Sequence, residues 1–221
     1  MQNFATPAPI TATLDFPAGR VHLHATDRAD TTVEVRPADA GKNRDVKAAG
    51  QTTVSYADGI LRIAAPQGKN QHFGPSGSVD VTVNLPAGSR VEATTSAAEL
   101  DSTGRLGDVS FTGAYRHINL AHAARVHLTA TDGDVHISRL DGPADISTAR
   151  GDIHIGEAST GTVTLTTQSG TITVGAAPGV SASLDAGTTH GRIDNTLKNN
   201  GTPELTIRAT TSQGDIVARS L

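Results

Sequence analysis

The stretch GDVHISRLDGPADISTARGDIHI, residues 133–155, contains nearly the same five residues twice. Gly-Asp-Val-His-Ile begins at Gly133, and Gly-Asp-Ile-His-Ile begins at Gly151, 18 positions later. In each copy apolar residues alternate with polar ones, which is typical of a β-strand with one buried face. A strand that recurs at a fixed spacing indicates stacked repeat units, and this phrase therefore decides the fold.

The repeat covers the second half of the chain. Similar segments begin at Val91, Val109, Val126, Ala144, Val163, Ala182 and Leu205. Each has two short apolar pairs separated by a turn rich in Thr, Gly and Asp. One such unit cannot bury its own apolar face, whereas units stacked at the ~4.8 Å spacing of paired strands can. The sequence thus predicts an all-β fold, with a β-solenoid of ~18-residue coils over residues 90–221.

Stacking in sequence order predicts which side chains lie above one another. We expect one column of Val126, Ala144 and Val163, and another of Val135, Ile153 and Ile172. The glycines at 133, 151 and 170 occupy the same place in successive coils. We expect them at corners, where a positive φ would strain a residue with a Cβ atom.

Residues 1–89 predict an antiparallel β portion that caps one end of the solenoid. Asp58-Gly59 indicates a hairpin, and a short helix is expected around Asp45–Ala49. The chain stops after the strand Asp215–Ala218, which would leave the other end of the solenoid uncovered. We expect either a folded-back loop or self-association there; the second alternative would form a homo-oligomer through the solenoid end.

Composition and charge exclude several classes of protein. The net charge of −4 gives no electrostatic basis for binding nucleic acid or an anionic membrane, and the absence of cysteine excludes disulfides and thiolate chemistry. The first residues lack the basic and apolar regions of a signal peptide, and no apolar run approaches the ~18 residues of a membrane span. We expect cytoplasmic residence; removal of a leader would instead place the protein outside the cytoplasm.

Five segments, two of which contain the repeated phrase, resemble a known family: VNLPAGSRV, ATDGDVHI, TARGDIHI, TQSGTITV and TSQGDIV. The chain is similar to the bacterial β-strand-repeat "putative adhesin" family, domain of unknown function 4097, and particularly to its actinobacterial members without a signal peptide. The resemblance implies a β-repeat fold and cytoplasmic residence. It brings no catalytic residues and no cofactor.

The repeated phrase also places titratable side chains together. If Val135 and Ile137 point inward, then Asp134 and His136 point outward, and Asp152 and His154 do the same one coil later. Two imidazoles and a carboxylate are ligands that Zn²⁺ accepts, and they also form an acid–base pair near neutral pH. The alternative is that all four are solvated surface residues of a structural strand.

A separate partner site is predicted in the loop Pro66–Gly77, which contains Lys69, His72 and Phe73. A basic loop with an aromatic residue suits partner recognition, and an exposed hairpin tip is the alternative.

Three classes of function follow. The first is a non-enzymatic binding or scaffold protein for a protein or small-molecule ligand, without a cofactor. The second is an enzyme acting on a glycan or small molecule, using the Asp/His face together with Arg192. The third is an adhesive or structural surface protein.

Overall fold

The computed structural model describes residues 1–65, 77–113 and 117–221. Within these ranges, one mixed sheet of seventeen strands and one short helix make up the regular structure. The prediction of an all-β fold is confirmed. The helix in this part of the chain is neither long nor apolar enough to cross a membrane.

Residues 1–130 contain the helix α1, Asn43–Gln51, and eight strands. These strands are β1 Gln2–Ala5, β2 Thr11–Thr26, β3 Asp30–Pro37, β4 Thr53–Ala57, β5 Ile60–Ala64, β6 Val79–Pro86, β7 Arg90–Gly113 and β8 His117–Ala130. The second half contains β9 Asp134–Leu140, β10 Ala144–Arg150, β11 Ile153–Ala158, β12 Gly161–Ser169, β13 Ile172–Ala176, β14 Ala182–His190, β15 Ile193–Thr196, β16 Leu205–Gln213 and β17 Ile216–Ser220.

In the middle of the sheet, each repeat unit pairs in parallel with the next unit along the chain. Both predicted columns are confirmed, because Ala144 pairs with Val126 and Val163, and Ile153 pairs with Val135 and Ile172. All six side chains are buried. Burial of such columns by neighbouring units stabilises the sheet, at roughly 25 cal/mol per Å² of apolar surface.

The corners of the units are formed by glycine, as predicted. Gly133, Gly151 and Gly170 have φ angles of 123°, 126° and 156°. A Cβ atom on Gly151 would overlap the carbonyl oxygen of Gly133 in the preceding unit. Buried threonine hydroxyls complete these corners, since Thr167 Oγ1 donates to the Gly151 carbonyl over 3.2 Å. Only glycine allows both this backbone conformation and this close approach.

The N-terminal portion is only partly antiparallel. β3 is antiparallel to β1 and β6, and β4 to β5, but β2 pairs in parallel with β5, β6 and β7. The antiparallel prediction is therefore wrong for β2, because this strand continues through Pro17–Gly19 and behaves as a repeat unit. β7 then pairs with both β2 and β8, so the sheet continues across residue 90.

The expected local structures of this portion are present. The helix occupies Asn43–Gln51, two residues longer at each end than predicted. Asp58 and Gly59 join β4 to β5 with φ angles of 52° and 77°, which are those of a tight hairpin turn.

The last two units do not stack in chain order, and the prediction that they would is wrong. β16 pairs with both β12 and β14, and β17 pairs with both β13 and β15. The C-terminal unit thus lies inside the stack, and the preceding unit, β14 with β15, lies at its end. The inward positions explain this order: Ala218 of β17 is buried beside Val174, while its neighbour on the far side is the exposed, polar Asn195. A unit with a polar inward residue is better tolerated at the end of the core.

Candidate functional site

The repeated phrase lies on the second strand of two neighbouring units, β9 and β11. Val135 and Ile137 are buried, and so are Ile153 and Ile155 of the next unit. Because side chains alternate across a strand, the intervening residues project from the outer face. Asp134, His136 and Asp152 are exposed and His154 is partly exposed, as the alternation predicts.

These side chains belong to a longer polar column that crosses five adjacent strands. The column is formed by His22, Asp101, Asn119, His136 and His154. We call these five residues the histidine column. Its members come from β2, β7, β8, β9 and β11, and each pairs directly with the next. Parallel pairing in one register places polar groups at the ~4.8 Å spacing of the strands.

The two imidazoles of the repeated phrase stack on each other. The ring centroids of His136 and His154 are 4.8 Å apart, and the ring planes differ by 5°. Burial lowers the pKa of His154, and the neighbouring His136 and Arg219 lower it further. His154 therefore favours its neutral form, in which one ring nitrogen can accept a hydrogen bond from a ligand.

This arrangement does not fit a tetrahedral zinc site without movement. Two imidazole nitrogens bound to one Zn²⁺ lie roughly 3.4 Å apart, given Zn–N distances of about 2.0–2.1 Å. Parallel rings at 4.8 Å hold equivalent nitrogens farther apart than this. In the described part of the chain, no group of three or more His, Cys, Asp or Glu residues has the geometry to hold a metal ion. The metal site at His136 and His154 stays a prediction.

The aspartates of the repeated phrase have a structural task. Asp134 Oδ1 accepts a hydrogen bond of 2.8 Å from the backbone N–H of Asp152, and Asp152 Oδ1 accepts one of 2.7 Å from the N–H of Thr171. Asp215 does the same for Arg192 over 2.8 Å. This bond from the Arg192 backbone is the main reason that the pKa of Asp215 is lowered. The Gly-Asp pairs that begin at Gly133, Gly151 and Gly214 thus each connect a corner to the next unit in the stack.

Arg192 lies apart from the other predicted residues. It belongs to the end unit, and the order of the units places two others between it and Asp152. At the usual strand spacing this separation is about 14 Å. The structure therefore brings Asp134, His136, Asp152 and His154 together but does not add Arg192 to them. Lys69, His72 and Phe73 lie outside the described residues.

A second cluster on the same face was not predicted. His22 Nε2 lies 3.5 Å from Asp80 Oδ1, and His22 Nδ1 lies 3.9 Å from Asp101 Oδ2. Asp101 also accepts a 2.9 Å hydrogen bond from Asn119 Nδ2 and lies 3.7 Å from His117 Nε2. The alternation of His22 and His24 with buried residues was a signal for an outward face. What the local pattern could not supply was the pairing of β2 with β7, some 79 positions later.

Asp141 is the centre of a third cluster. Its partners Arg105, His122 and Arg139 are paired residues of β7, β8 and β9. His122 Nε2 lies 2.7 Å from Asp141 Oδ2, and the Nε atoms of Arg139 and Arg105 lie 3.3 Å and 3.5 Å from its carboxylate oxygens. Burial raises the pKa of Asp141, but hydrogen bonds from His122 and Arg139 outweigh it and lower the pKa overall. Because its partners satisfy it so fully, we regard Asp141 as structural.

A groove of about 690 Å³ lies between α1 and the corner of β2. Its charged lining is mixed, with Arg20, Lys42 and Arg44 beside Asp39, Asp45 and Glu99. Asp45 is buried and accepts a hydrogen bond of 3.0 Å from the backbone N–H of Ser78. A lining of both charges does not favour anionic or cationic ligands. We therefore regard the histidine column, whose members pair in one register, as the better candidate for a binding site.

Comparison with known families gives one match. The model of the family described as Toastrack DUF4097, a domain of unknown function, matches residues 13–220. No curated protein matches the chain significantly.

Several solved structures are similar to this chain at low sequence identity. A "putative adhesin" from Parabacteroides distasonis is 14% identical, with a TM-score of 0.46 over 98% of this chain and 95% of that one. A "putative lipid binding protein" from the same organism is 11% identical, with a TM-score of 0.44 over 98% and 95%. A "putative cell adhesion protein" from Clostridium sporogenes is 13% identical, with a TM-score of 0.35 over 100% and 98%.

Proposed function

Because this chain belongs to the Toastrack DUF4097 family, we propose that it folds as a β-solenoid and acts as a binding or scaffold protein rather than as an enzyme. The histidine column is its recognition surface. Parallel pairing at one-unit spacing, continuous inward columns and glycine corners all support the solenoid.

The observation that carries the proposal is the register of the histidine column. Five adjacent strands present a polar side chain at the same position, over about 19 Å of sheet at the usual strand spacing. The neighbouring residues on these strands point inward and are buried, so the core holds the strands that carry the column in place. A flat, rigid row of hydrogen-bonding groups suits a flat partner, such as the surface of another protein.

The geometry supports binding over catalysis. The enzyme alternative requires Asp134, Asp152 and Arg192 to act on one substrate with the two histidines. Each of the two carboxylates already holds a backbone N–H group, and Arg192 lies about 14 Å from Asp152. An acid–base mechanism needs its groups within hydrogen-bond reach of one reacting centre.

A thermal-shift screen tests the proposal for small ligands. Zn²⁺, Ca²⁺, oligosaccharides and a metabolite library are added to the wild type and to the double variant His136→Ala/His154→Ala. A ligand of this face raises the melting temperature of the wild type and not that of the variant. His127→Ala is the matched control, because His127 pairs with Ser110 and Asp145 outside the histidine column, and 59% of its side chain is exposed.

Site-specific crosslinking tests the proposal for protein ligands. A photoreactive residue replaces either Asn119 in the histidine column or Ser110, which pairs with His127 outside the column; both positions are partly exposed. We expect a crosslinked partner only from position 119, and its loss in the double histidine variant. The absence of both a ligand-dependent shift and a crosslink specific to position 119 would refute the proposed surface.

Cytoplasmic residence is part of the same proposal, and it is supported by the absence of cysteine, which suits a reducing compartment. Cell fractionation with an antibody against the native protein tests it. Recovery in the membrane or external fraction would favour the adhesive alternative.

A further inference from the structure

The end unit of the stack, formed by β14 and β15, has one open side. In the described residues, β14 pairs only with β16, and β15 only with β17. The inward residue of β15, Ile193, is 47% exposed, while its column neighbours Ile216 and Ile172 are 1% and 0% exposed. An open strand edge beside exposed apolar surface favours pairing with another strand.

The charges around Ile193 are self-complementary. Asp194 lies in β15, and Arg192 directly precedes it and continues its ladder, because its carbonyl accepts a 2.8 Å hydrogen bond from the Ile216 N–H. Both side chains therefore project from the face opposite Ile193. Suppose that two copies of β15 pair antiparallel about a two-fold axis at Ile193. Arg192 of each copy then lies opposite Asp194 of the other, and the two Ile193 side chains meet. Opposite charges at directly paired positions stabilise an antiparallel pair.

We propose that β15 is a self-association surface, and that its occupant is β15 of a second copy in this two-fold register. A two-fold interface uses the same residues on both copies and closes at a dimer. The proposal concerns the open edge of the sheet, three strands beyond His154, and uses none of the five residues of the histidine column, so either can fail without the other.

Charge complementarity also favours this arrangement over head-to-tail stacking of the end unit. Head-to-tail stacking would place the end unit against the other open edges among the described strands, β1 or β4. Their sequences, QNFA and TVSYA, contain no charged residue. Arg192 and Asp194 would then face no opposite charge. Arg192 is free to turn toward a second copy, because 89% of its side chain is exposed even beside Asp215.

Charge-reversal variants and their mixture provide the test. The variants Arg192→Glu and Asp194→Arg are each measured alone, and then in equal amounts together, by sedimentation equilibrium over a wide concentration range. Each variant alone places like charges opposite each other, so we expect monomers, whereas the wild type forms dimers. In the mixture, the glutamate introduced by the first variant faces the arginine introduced by the second, and the unchanged Asp194 faces the unchanged Arg192. We expect a heterodimer of wild-type affinity.

Two controls keep the result specific. Lys198→Glu makes the same change of charge as Arg192→Glu on the loop that follows β15, and it should leave the dimer intact. Circular dichroism should show that each monomeric variant keeps its β structure. A wild type that stays monomeric, a mixture that fails to dimerise, or wild-type oligomers that grow without limit would each overturn the proposal.

Discussion

The middle units and the last two units have the same sequence pattern but different surroundings. In the middle, β9, β11 and β13 pair in chain order and their inward isoleucines and valines are fully buried. At the end, β14 and β15 form the outermost unit of the stack. The chain then turns back, and β16 and β17 occupy the place between that unit and β12 and β13. The difference shows that the repeat determines the register of a unit, while the polarity of its inward residues determines its place in the stack.

The loop between β15 and β16 makes this exchange of order sterically feasible. Residues 197–204 separate the two strands, which gives the chain enough length to pass the edge of the end unit. The buried hydroxyl of Ser181 anchors this loop by donating to Asn200 Oδ1 over 2.8 Å. The lengthened spacing before Leu205 was therefore a signal of the return, although it did not indicate its direction.

The largest effect should come from a charge placed inside the C-terminal unit. Ile207 is fully buried between β12 and β14, so Ile207→Asp should cost more than about 4 kcal/mol and unfold much of the protein. Leu184→Asp, in the partly exposed end unit, should cost about 1 kcal/mol. Urea denaturation followed by circular dichroism measures both.

If the units stacked in chain order, the two losses of stability would be reversed. Leu184 would then lie inside the stack and Ile207 at its end, so Leu184→Asp would be the more damaging change. Equal losses would contradict both orders.

Glycine substitutions separate the two regions with a smaller change. Gly151 has a φ of 126°, and a Cβ atom there would overlap the carbonyl oxygen of Gly133. Gly151→Ala should therefore destabilise the protein by about 3 kcal/mol. Gly187, in the end unit, has open space around its Cβ position, so Gly187→Ala should stay within about 0.5 kcal/mol of the wild type. A similar loss for both variants in thermal denaturation would show that the corners are not the constrained positions.

The sequence was sufficient to predict the local structure and the spacing of the units. The repeat of Gly133 at Gly151 gave the strands, their corners and their columns, because these depend on residues within about two units of one another. The pairing of His22 with Asp101 could not be predicted in this way, since their strands belong to different parts of the chain. Of the candidate site, the outward face was predictable. The hydrogen bonds that Asp134 and Asp152 accept from backbone N–H groups were not predictable. A catalytic or metal-binding aspartate and a structural aspartate at a corner give the same sequence pattern.

The smallest expected effect concerns pH, and it belongs to the middle of the sheet. Within the histidine column, only His136 and His154 place two imidazoles at neighbouring positions; the same column continues at the end as Val217 and Asp194. Burial, then His136 and Arg219, lower the pKa of His154 below its ordinary 6.5 in the folded protein. As the pH falls below 6.5, the unfolded chain therefore takes up this proton more readily than the folded chain, and stability decreases until the pH reaches the folded pKa.

His154→Gln removes this contribution while keeping a polar side chain. The urea midpoint of the variant should decrease less than that of the wild type between a pH above 6.5 and one well below it, and His127→Gln should behave like the wild type. Equal decreases in all three proteins would show that proximity in the column does not disfavour the charged imidazole. The stacked pair would then differ from an isolated surface histidine in geometry alone. Because the register of the middle units is what brings the rings within 4.8 Å, a positive result would link the order of stacking to the chemistry of the candidate surface.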